Sequence, residues 1–426
     1  MSLESVSDKN SIAYYLSKGW LVAAISLVFL LPARFFINYS LAKDAPSNIV
    51  VNYLNAIDAV AILLSLICIL VEKDKRIERK NGRLIGFYLI IVLINTIALL
   101  ATSNVNYFGE LVSKIILLIA SAIIAEYLHK ELDDRLKLAF YLIPILVLVF
   151  ATFFLRNYGG YATSHRVGTL GFGSNETAMF ACALIGIALI SKFNMWIKLG
   201  LSILGLLCVL TVSSRRGIAV ALALIAIYVL IILFGKRKRM TVTQFLTILL
   251  GIALVSVIIY INFDRIYNYV MRSPLLIRFS YSKRIGIDIF DTSDRSDIFR
   301  DCMTRLNESP FLGFMGSDKL FAQGSFTHTH NLLLQFIVIY GYFFGSVIAV
   351  YFIASTYKAI RLLFWDYKNQ LTTRIGAFYS IFFLVYFVFD MYGYLLWNPK
   401  GILWVMITSF LISKEYREQK HLRTME

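Results

Sequence analysis

The chain has 426 residues, of which 58% are hydrophobic and 16% are charged, and its mean hydropathy is +0.71. This balance excludes an ordinary soluble domain, in which about a quarter of the residues are charged. The net charge of +16 would suit nucleic acid, but membrane topology and anionic lipid headgroups account for it better. We therefore predict an all-α polytopic membrane protein that contacts membrane lipid and no nucleic acid.

The apolar residues come mostly in runs of roughly 17 to 22 residues, which is the length that about 30 Å of hydrocarbon requires of an α-helix. In chain order, the about twelve predicted spans are Trp20–Phe36, Ile49–Val71, Leu84–Ala101, Leu111–Ala125, Leu138–Leu155, Thr177–Ile190, Leu199–Val212, Ile218–Phe234, Val242–Ile261, Asn331–Phe352, Ile375–Phe389 and Ile402–Leu411. No small-residue cleavage site follows the first run, so no cleaved signal peptide is expected. Residues 1–426 are predicted to form a single integral membrane domain.

The basic residues predict the orientation, because Lys and Arg close to span ends resist translocation. With the N-terminus inside, the inner segments hold about 25 of the 42 Lys and Arg residues. About nine others lie in one long outer loop, residues 262–327, and loops of this length translocate largely regardless of charge. We predict that the protein lies in a bacterial inner membrane, with both termini cytoplasmic and an active face in the periplasm.

Within this large periplasmic loop, Asp294–Glu308 is predicted to form an amphipathic helix. Its apolar residues recur at helical spacing, and Pro310 follows its end. The members of the apolar face are Ile298, Phe299, Cys302, Met303 and Leu306.

The sharpest local motif is the run 213–217, Ser-Ser-Arg-Arg-Gly, between two apolar runs at the predicted outer surface. Two guanidinium groups at such a turn favour an anionic partner, and Arg suits bidentate binding of phosphate. Arg215 and Arg216 are therefore candidates for a phosphate site. The alternative interpretation is that both side chains extend to water or to lipid headgroups.

A second motif, Thr-His-Thr-His-Asn at 327–331, immediately precedes an apolar run. A neutral imidazole at a membrane surface suits a general base for a sugar hydroxyl. His328 and His330 could instead be half of a metal site, although no third ligand stands at a recognisable spacing. An interfacial histidine without catalytic duty is a further alternative.

The outer segments also carry many arginines, which could together stabilise a diphosphate leaving group. They are Arg156, Arg166, Arg265, Arg272, Arg278, Arg284, Arg295, Arg300 and Arg305. We single out Arg295 because it begins the predicted amphipathic helix, where its neighbours fix its direction. The alternative is an exposed ion pair of little energetic consequence.

Four pieces of the sequence together resemble the O-antigen polymerase and O-antigen ligase superfamily of bacterial membrane glycosyltransferases. They are Gly171, Gly173 and Asn175 before a span; Ser214 and Arg215 after a span; Arg295, Ile298, Phe299, Pro310 and Gly313; and His330, Asn331, Gly341 and Gly345. Each piece is weak alone, and the resemblance rests on their order, spacing and common predicted side. Arg216 departs from the pattern, since a small residue is commoner there, so either arginine of the pair can be the family residue.

The resemblance implies a metal-independent transfer without a cofactor, in which an undecaprenyl-diphosphate-linked oligosaccharide is the donor. It assigns catalytic roles to His330 as general base and to Arg215 and Arg295 on the diphosphate. It further implies substrate-binding roles for Arg166, Arg216, Arg300, His328 and Asn331. A chain-length regulator protein is an expected partner.

The acceptor separates the two family functions: a second lipid-linked repeat unit for a polymerase, and the lipid A core for a ligase. The run from Asn331 to Gly345 looks more like a polymerase, and this is the function we expect. The ligase remains the alternative, and a lipid-linked glycan flippase or permease without chemistry is a third hypothesis.

Overall fold

The computed structural model describes residues 12–28, 56–71, 105–158, 174–212, 214–234, 331–369, 375–389 and 399–425, with isolated positions at 86, 90 and between 300 and 313. Its helices are α1 Ile12–Lys18, α2 Trp20–Val28, α3 Ala56–Val71, α4 Val105–Glu131, α5 Asp134–Tyr158, α6 Ser174–Ile190, α7 Met195–Thr211, α8 Arg215–Phe234, α9 Leu332–Asn369, α10 Ile375–Phe383, a π-helical segment Leu384–Val388, and α11 Pro399–Met425. No strand occurs among these residues, which confirms the all-α prediction.

Among the described residues, two stretches are long and apolar enough to cross a membrane by length and composition: Asp134–Phe154 in α5 and Tyr340–Phe364 in α9. Other predicted spans correspond to shorter apolar helices, among them α6 and α7. The predicted spans Leu84–Ala101 and Val242–Ile261 lie outside the described residues, apart from positions 86 and 90. The membrane character of the chain is thus supported, while the number of spans stays a prediction.

Neighbouring helices α6, α10 and α11 alternate in direction. Phe180 of α6 packs on Tyr386, which follows α10 in the π-helical segment, with ring centroids 4.7 Å apart. Gly186 comes later in α6 but faces Ile381, which comes before Tyr386 in the chain. The two helices are therefore antiparallel. Tyr386 in turn contacts Gly401 near the start of α11, and Gly376 at the start of α10 contacts the late Glu415 and Gln419. The starts of α6 and α11 therefore lie at one end of the bundle, which we call the front end.

Helix α9 reverses direction at Gly341, where φ is 78° and ψ is 173°. The rings of Phe336 and Phe352 stack with centroids 5.1 Å apart, although 16 residues of continuous helix would span about 24 Å. Residues 332–340 and 342–369 are thus two arms that pack side by side. The prediction of one continuous span from Asn331 to Phe352 is wrong, because the chain turns back in the middle of that apolar run.

The long arm of α9 runs parallel to α11. Tyr351 and Ser355 each hydrogen-bond to Ser409 at 3.0 Å, and Lys358 Nζ donates to Ser413 Oγ at 3.1 Å. The reversal at Gly341 consequently lies at the front end, beside the start of α11.

Helix contacts in the middle of the bundle combine aromatic packing with close approach at glycines. Trp404 of α11 packs on Phe140, with centroids 4.5 Å apart, and on Phe382 at 5.9 Å. At Gly205 of α7 an added Cβ would lie 2.8 Å from the carbonyl oxygen of Ala181 in α6. Such packing is the main attraction between helices where apolar lipid surrounds them.

The opposite end, which we call the rear end, is held by charged side chains. Glu126 of α4 lies 2.5 Å from Lys414 Nζ of α11 and 3.2 Å from Lys130 Nζ. Near the N-terminus of the chain, Lys18 pairs with Glu131 at 2.5 Å. The first and last described helices therefore both contact the rear end.

Candidate functional site

The paired arginines of the Ser-Arg-Arg motif occupy the first two positions of α8. Ser214 Oγ accepts a hydrogen bond from the Gly217 amide at 3.1 Å, so Ser214 is the N-cap of the helix. The helix dipole adds positive potential at this helix start, where the sequence has two arginines. A helix start of this kind attracts an anion such as phosphate. Arg216 is partly buried, and the Arg215 side chain lies outside the described part.

The N-cap of α8 is joined to the start of α6. Ser214 is 2% exposed, and its hydroxyl donates to Asn175 Oδ1 at 3.0 Å. Close packing fixes the same corner, because an added Cβ at Gly217 would lie 2.8 Å from Ala178 Cβ and 2.9 Å from Val209 Cγ1. The structure thus brings together the first two of the four sequence pieces.

Glu176 is a buried carboxylate that the sequence analysis missed. It lies in the first turn of α6, directly after Asn175, and is 5% exposed. An acidic residue in the first turn of a helix is common, so its type and position alone gave little reason to select it. Its adjacency to Asn175 was the available signal.

The described part of the segment 294–308 is amphipathic, as predicted. Cys302 and Leu306 are buried, while Arg300 and Thr304 are exposed. Thr304 Oγ1 donates to the Arg300 carbonyl at 2.9 Å, a contact between successive helical turns. Arg300 is thereby placed on the exposed face, and Arg295 lies outside the described residues.

The segment after this helix packs against the reversal of α9. The Tyr342 amide donates to the Pro310 carbonyl at 2.8 Å, and Tyr342 Oη donates to Asn307 Oδ1 at 3.2 Å. An added Cβ at Gly341 would lie 2.0 Å from the Phe311 carbonyl oxygen, so no larger residue fits there. The third and fourth sequence pieces, which contain Pro310 and Gly341, are thus also in contact.

Asn331 begins the short arm of α9 as its N-cap. Its Oδ1 accepts hydrogen bonds from the amides of Leu333 and Leu334, both at 3.1 Å. This contact supports the helix that follows the histidine motif, and a role of Asn331 toward substrate stays a prediction. The other predicted site residues Arg166, His328 and His330 lie outside the described residues.

An apolar cleft of about 700 Å³ lies beside the reversal. Its lining residues are Pro310, Phe311, Tyr342, Phe343, Ser346, Val347 and Val350. Two of these residues lie on the exposed face of the long arm of α9: Phe343 is 61% exposed and Val350 is 62% exposed. The front end thus places an apolar surface beside polar backbone and amide groups.

No protein-family model matches this sequence, and no curated protein matches it.

Proposed function

We propose that this protein is an O-antigen polymerase, a membrane glycosyltransferase that extends a surface polysaccharide at the periplasmic face of a bacterial inner membrane. The observation that carries the proposal is the pairing of the four motif pieces: Asn175 meets Ser214, and Pro310 meets Gly341. Both contacts lie at the front end of the bundle. Each contact joins residues far apart in sequence, and the arginine pair begins α8 beside the first of them.

The two ends of the bundle differ in a way that supports the proposed orientation. Lys18, Lys130 and Lys414 gather at the rear end, together with the first and last described helices. A cytoplasmic rear end would follow the bias of basic residues toward the inside. The front end would then face the periplasm, with both termini in the cytoplasm and about twelve spans between them.

In the proposed reaction, a hydroxyl oxygen of the acceptor repeat unit attacks the anomeric carbon of the donor glycan. His330 accepts the hydroxyl proton, and the bond from the anomeric carbon to the diphosphate oxygen breaks. Undecaprenyl diphosphate leaves, and Arg215 and Arg295 stabilise the negative charge that develops on it. Arg166, Arg216, Arg300, His328 and Asn331 would hold the donor and acceptor in one groove, which lowers the entropic cost of their encounter.

Reconstitution of the purified protein with undecaprenyl-diphosphate-linked repeat units, in the presence of a chelator, tests this function. We expect a ladder of lengthened glycans. Transfer that occurs only after addition of lipid A core would support the ligase, and movement of lipid-linked glycan across the bilayer without bond formation would support a flippase. Failure of all lengthening in chelator, with recovery on addition of a divalent cation, would contradict the metal-independent mechanism.

Substitution of Arg215 by Lys isolates the proposed diphosphate contact, because the charge is kept and the planar fork is lost. We expect transfer to fall roughly a hundredfold, as for loss of one preorganised donor to a developing anion. Arg361→Lys is the matched control, since Arg361 is exposed on the long arm of α9 and donates to Tyr357 Oη at 2.9 Å. Full activity of Arg215→Lys would remove Arg215 from the diphosphate site.

A further inference from the structure

A second cluster of ligating side chains lies at the rear end, away from the proposed transfer site. His129 of α4 meets Glu415 and Glu418 of α11, and the candidate ligand atoms of the three residues all lie within 4.8 Å of one another. Glu415 and Glu418 are three positions apart, so they share one face of α11. We propose that His129, Glu415 and Glu418 bind a first-row divalent metal ion, with Zn²⁺ as the best-suited probe, and that the ion joins α4 to α11.

The donor set suits this chemistry. One imidazole nitrogen and two carboxylate oxygens are ligands that Zn²⁺ accepts at about 2.0–2.2 Å, and water commonly fills a fourth position. Tetrahedral ligand atoms around such an ion are about 3.4 Å apart. His129 Nε2 and Glu418 Oε1, now 2.6 Å apart, would separate slightly, and the third ligand would move inward. Glu418 has a side chain that is 58% exposed, so it has room to make this adjustment.

Two buried groups of the cluster are poorly compensated by their surroundings. Burial raises the pKa of the Glu415 carboxyl, and its contact within the described structure is a hydrogen bond of 3.2 Å from Gln419 Nε2. The Nδ1 atom of His129 is buried and has no hydrogen-bond partner among the described residues. A bound cation would stabilise the charged form of Glu415.

Nearby lysines limit the negative potential of the site without removing it. Lys414 and Lys130 both pair with Glu126, and Lys414 also acts on Glu418. The charge of Lys137 also lowers the pKa of Glu415 and of Glu418. Its effect is smaller than that of burial at Glu415 and smaller than that of the hydrogen bond with His129 at Glu418. Two carboxylates and one imidazole therefore remain as ligands, with Lys137 acting on both carboxylates and Lys414 acting on Glu418. The alternative occupant of the cluster is a proton on His129, which would give a simple ion pair with Glu418.

The experiment is a zinc titration of the full chain, purified in detergent and first stripped with a chelator. A competing chromophoric chelator measures affinity, and Co²⁺ in place of Zn²⁺ reports nitrogen and oxygen ligation by its visible absorption. We expect one ion per chain. His129→Gln and Glu418→Gln should each weaken binding at least about tenfold, because loss of an outer-shell partner alone costs about 10- to 100-fold.

The matched control is His421→Gln, on the exposed face of the same helix α11, which should bind Zn²⁺ as the wild type does. Melting temperatures of all variants in chelator show whether they fold. If His129→Gln does not fold, Glu418→Gln still tests the site, because Glu418 is half-exposed and its substitution should be tolerated. Equal zinc binding by wild type and Glu418→Gln would mean adventitious surface binding and would overturn the proposal. Absence of stoichiometric binding by the folded wild type would overturn it in favour of the ion pair.

Discussion

The two ends of the bundle are held together by different kinds of interaction. At the front end, the described contacts are hydrogen bonds of caps and carbonyls and close packing at glycine, as at Ser214 and Gly341. At the rear end, an ion pair between Glu126 and Lys414 and a hydrogen bond between His129 and Glu418 join α4 to α11. The front end is thus shaped by backbone constraints, whereas the rear end is fastened by charge. Substitutions at the two ends should therefore differ in how much stability they cost and in whether a second substitution can restore it.

The largest loss of stability is expected for Lys414→Met at the rear end. Glu126 and Lys414 have side chains that are 6% and 7% exposed, so removal of the lysine leaves a buried carboxylate with Lys130 alone. Loss of one partner of a buried ion pair costs about 3–5 kcal/mol. The measurement is the free energy of unfolding in mixed detergent micelles by SDS titration.

The double variant Glu126→Gln/Lys414→Met separates the cost of the orphaned charge from the worth of the pair. We expect it to recover much of the stability lost by Lys414→Met, since no charge then remains uncompensated. Equal stability losses in the single and double variants would show that packing of the lysine stem, and not charge, fastens this end.

Gly341→Ala tests the front end, with a smaller expected loss of about 2–3 kcal/mol. The new Cβ would meet the carbonyl oxygen of Phe311 at 2.0 Å, and its φ of 78° is unfavourable for alanine. Gly200→Ala is the matched control, because no atom lies within 4 Å of its added Cβ and alanine favours helix α7. Similar stability of the two variants would contradict a tight reversal at Gly341.

Much of the helical arrangement follows from the sequence, because apolar runs of the right length mark helices directly. The helical spacing of apolar residues such as Cys302 and Leu306 likewise predicted the amphipathic helix that contains them. The reversal of α9 could not be predicted in this way, since Leu332–Ile348 is predominantly apolar and hydropathy does not indicate where a chain changes direction. Gly341 belongs to one of the sequence motifs, but a glycine within a helical pattern can either be accommodated in a continuous helix or mark a turn. Its presence alone does not decide between the two.

The same limit applies to contacts between distant residues. Each partner of the bonds Asn175 to Ser214 and His129 to Glu418 looks in the sequence like an ordinary polar residue of a helix or a helix cap. These residues come into contact only because the helices that carry them pack together. The motif resemblance grouped Asn175 with Ser214 in one pattern, whereas nothing in the sequence joined His129 to α11.

An effect smaller than that of Gly341→Ala is expected for Ser214→Ala, which removes the N-cap of α8 and the hydrogen bond to Asn175 together. Loss of a serine cap costs about 0.5–2 kcal/mol, and Asn175→Ala, which keeps the cap, should cost less. Ser202→Ala on α7 is the matched control, because its hydroxyl has no hydrogen-bond partner among the described residues. If the cap positions Arg215 and Arg216, Ser214→Ala should lower glycan transfer several-fold at a temperature where the protein remains folded. Unchanged transfer together with lost stability would confine Ser214 to a structural role. The cap contacts at the front end would then serve only to hold the helices together, as the ion pairs at the rear end do.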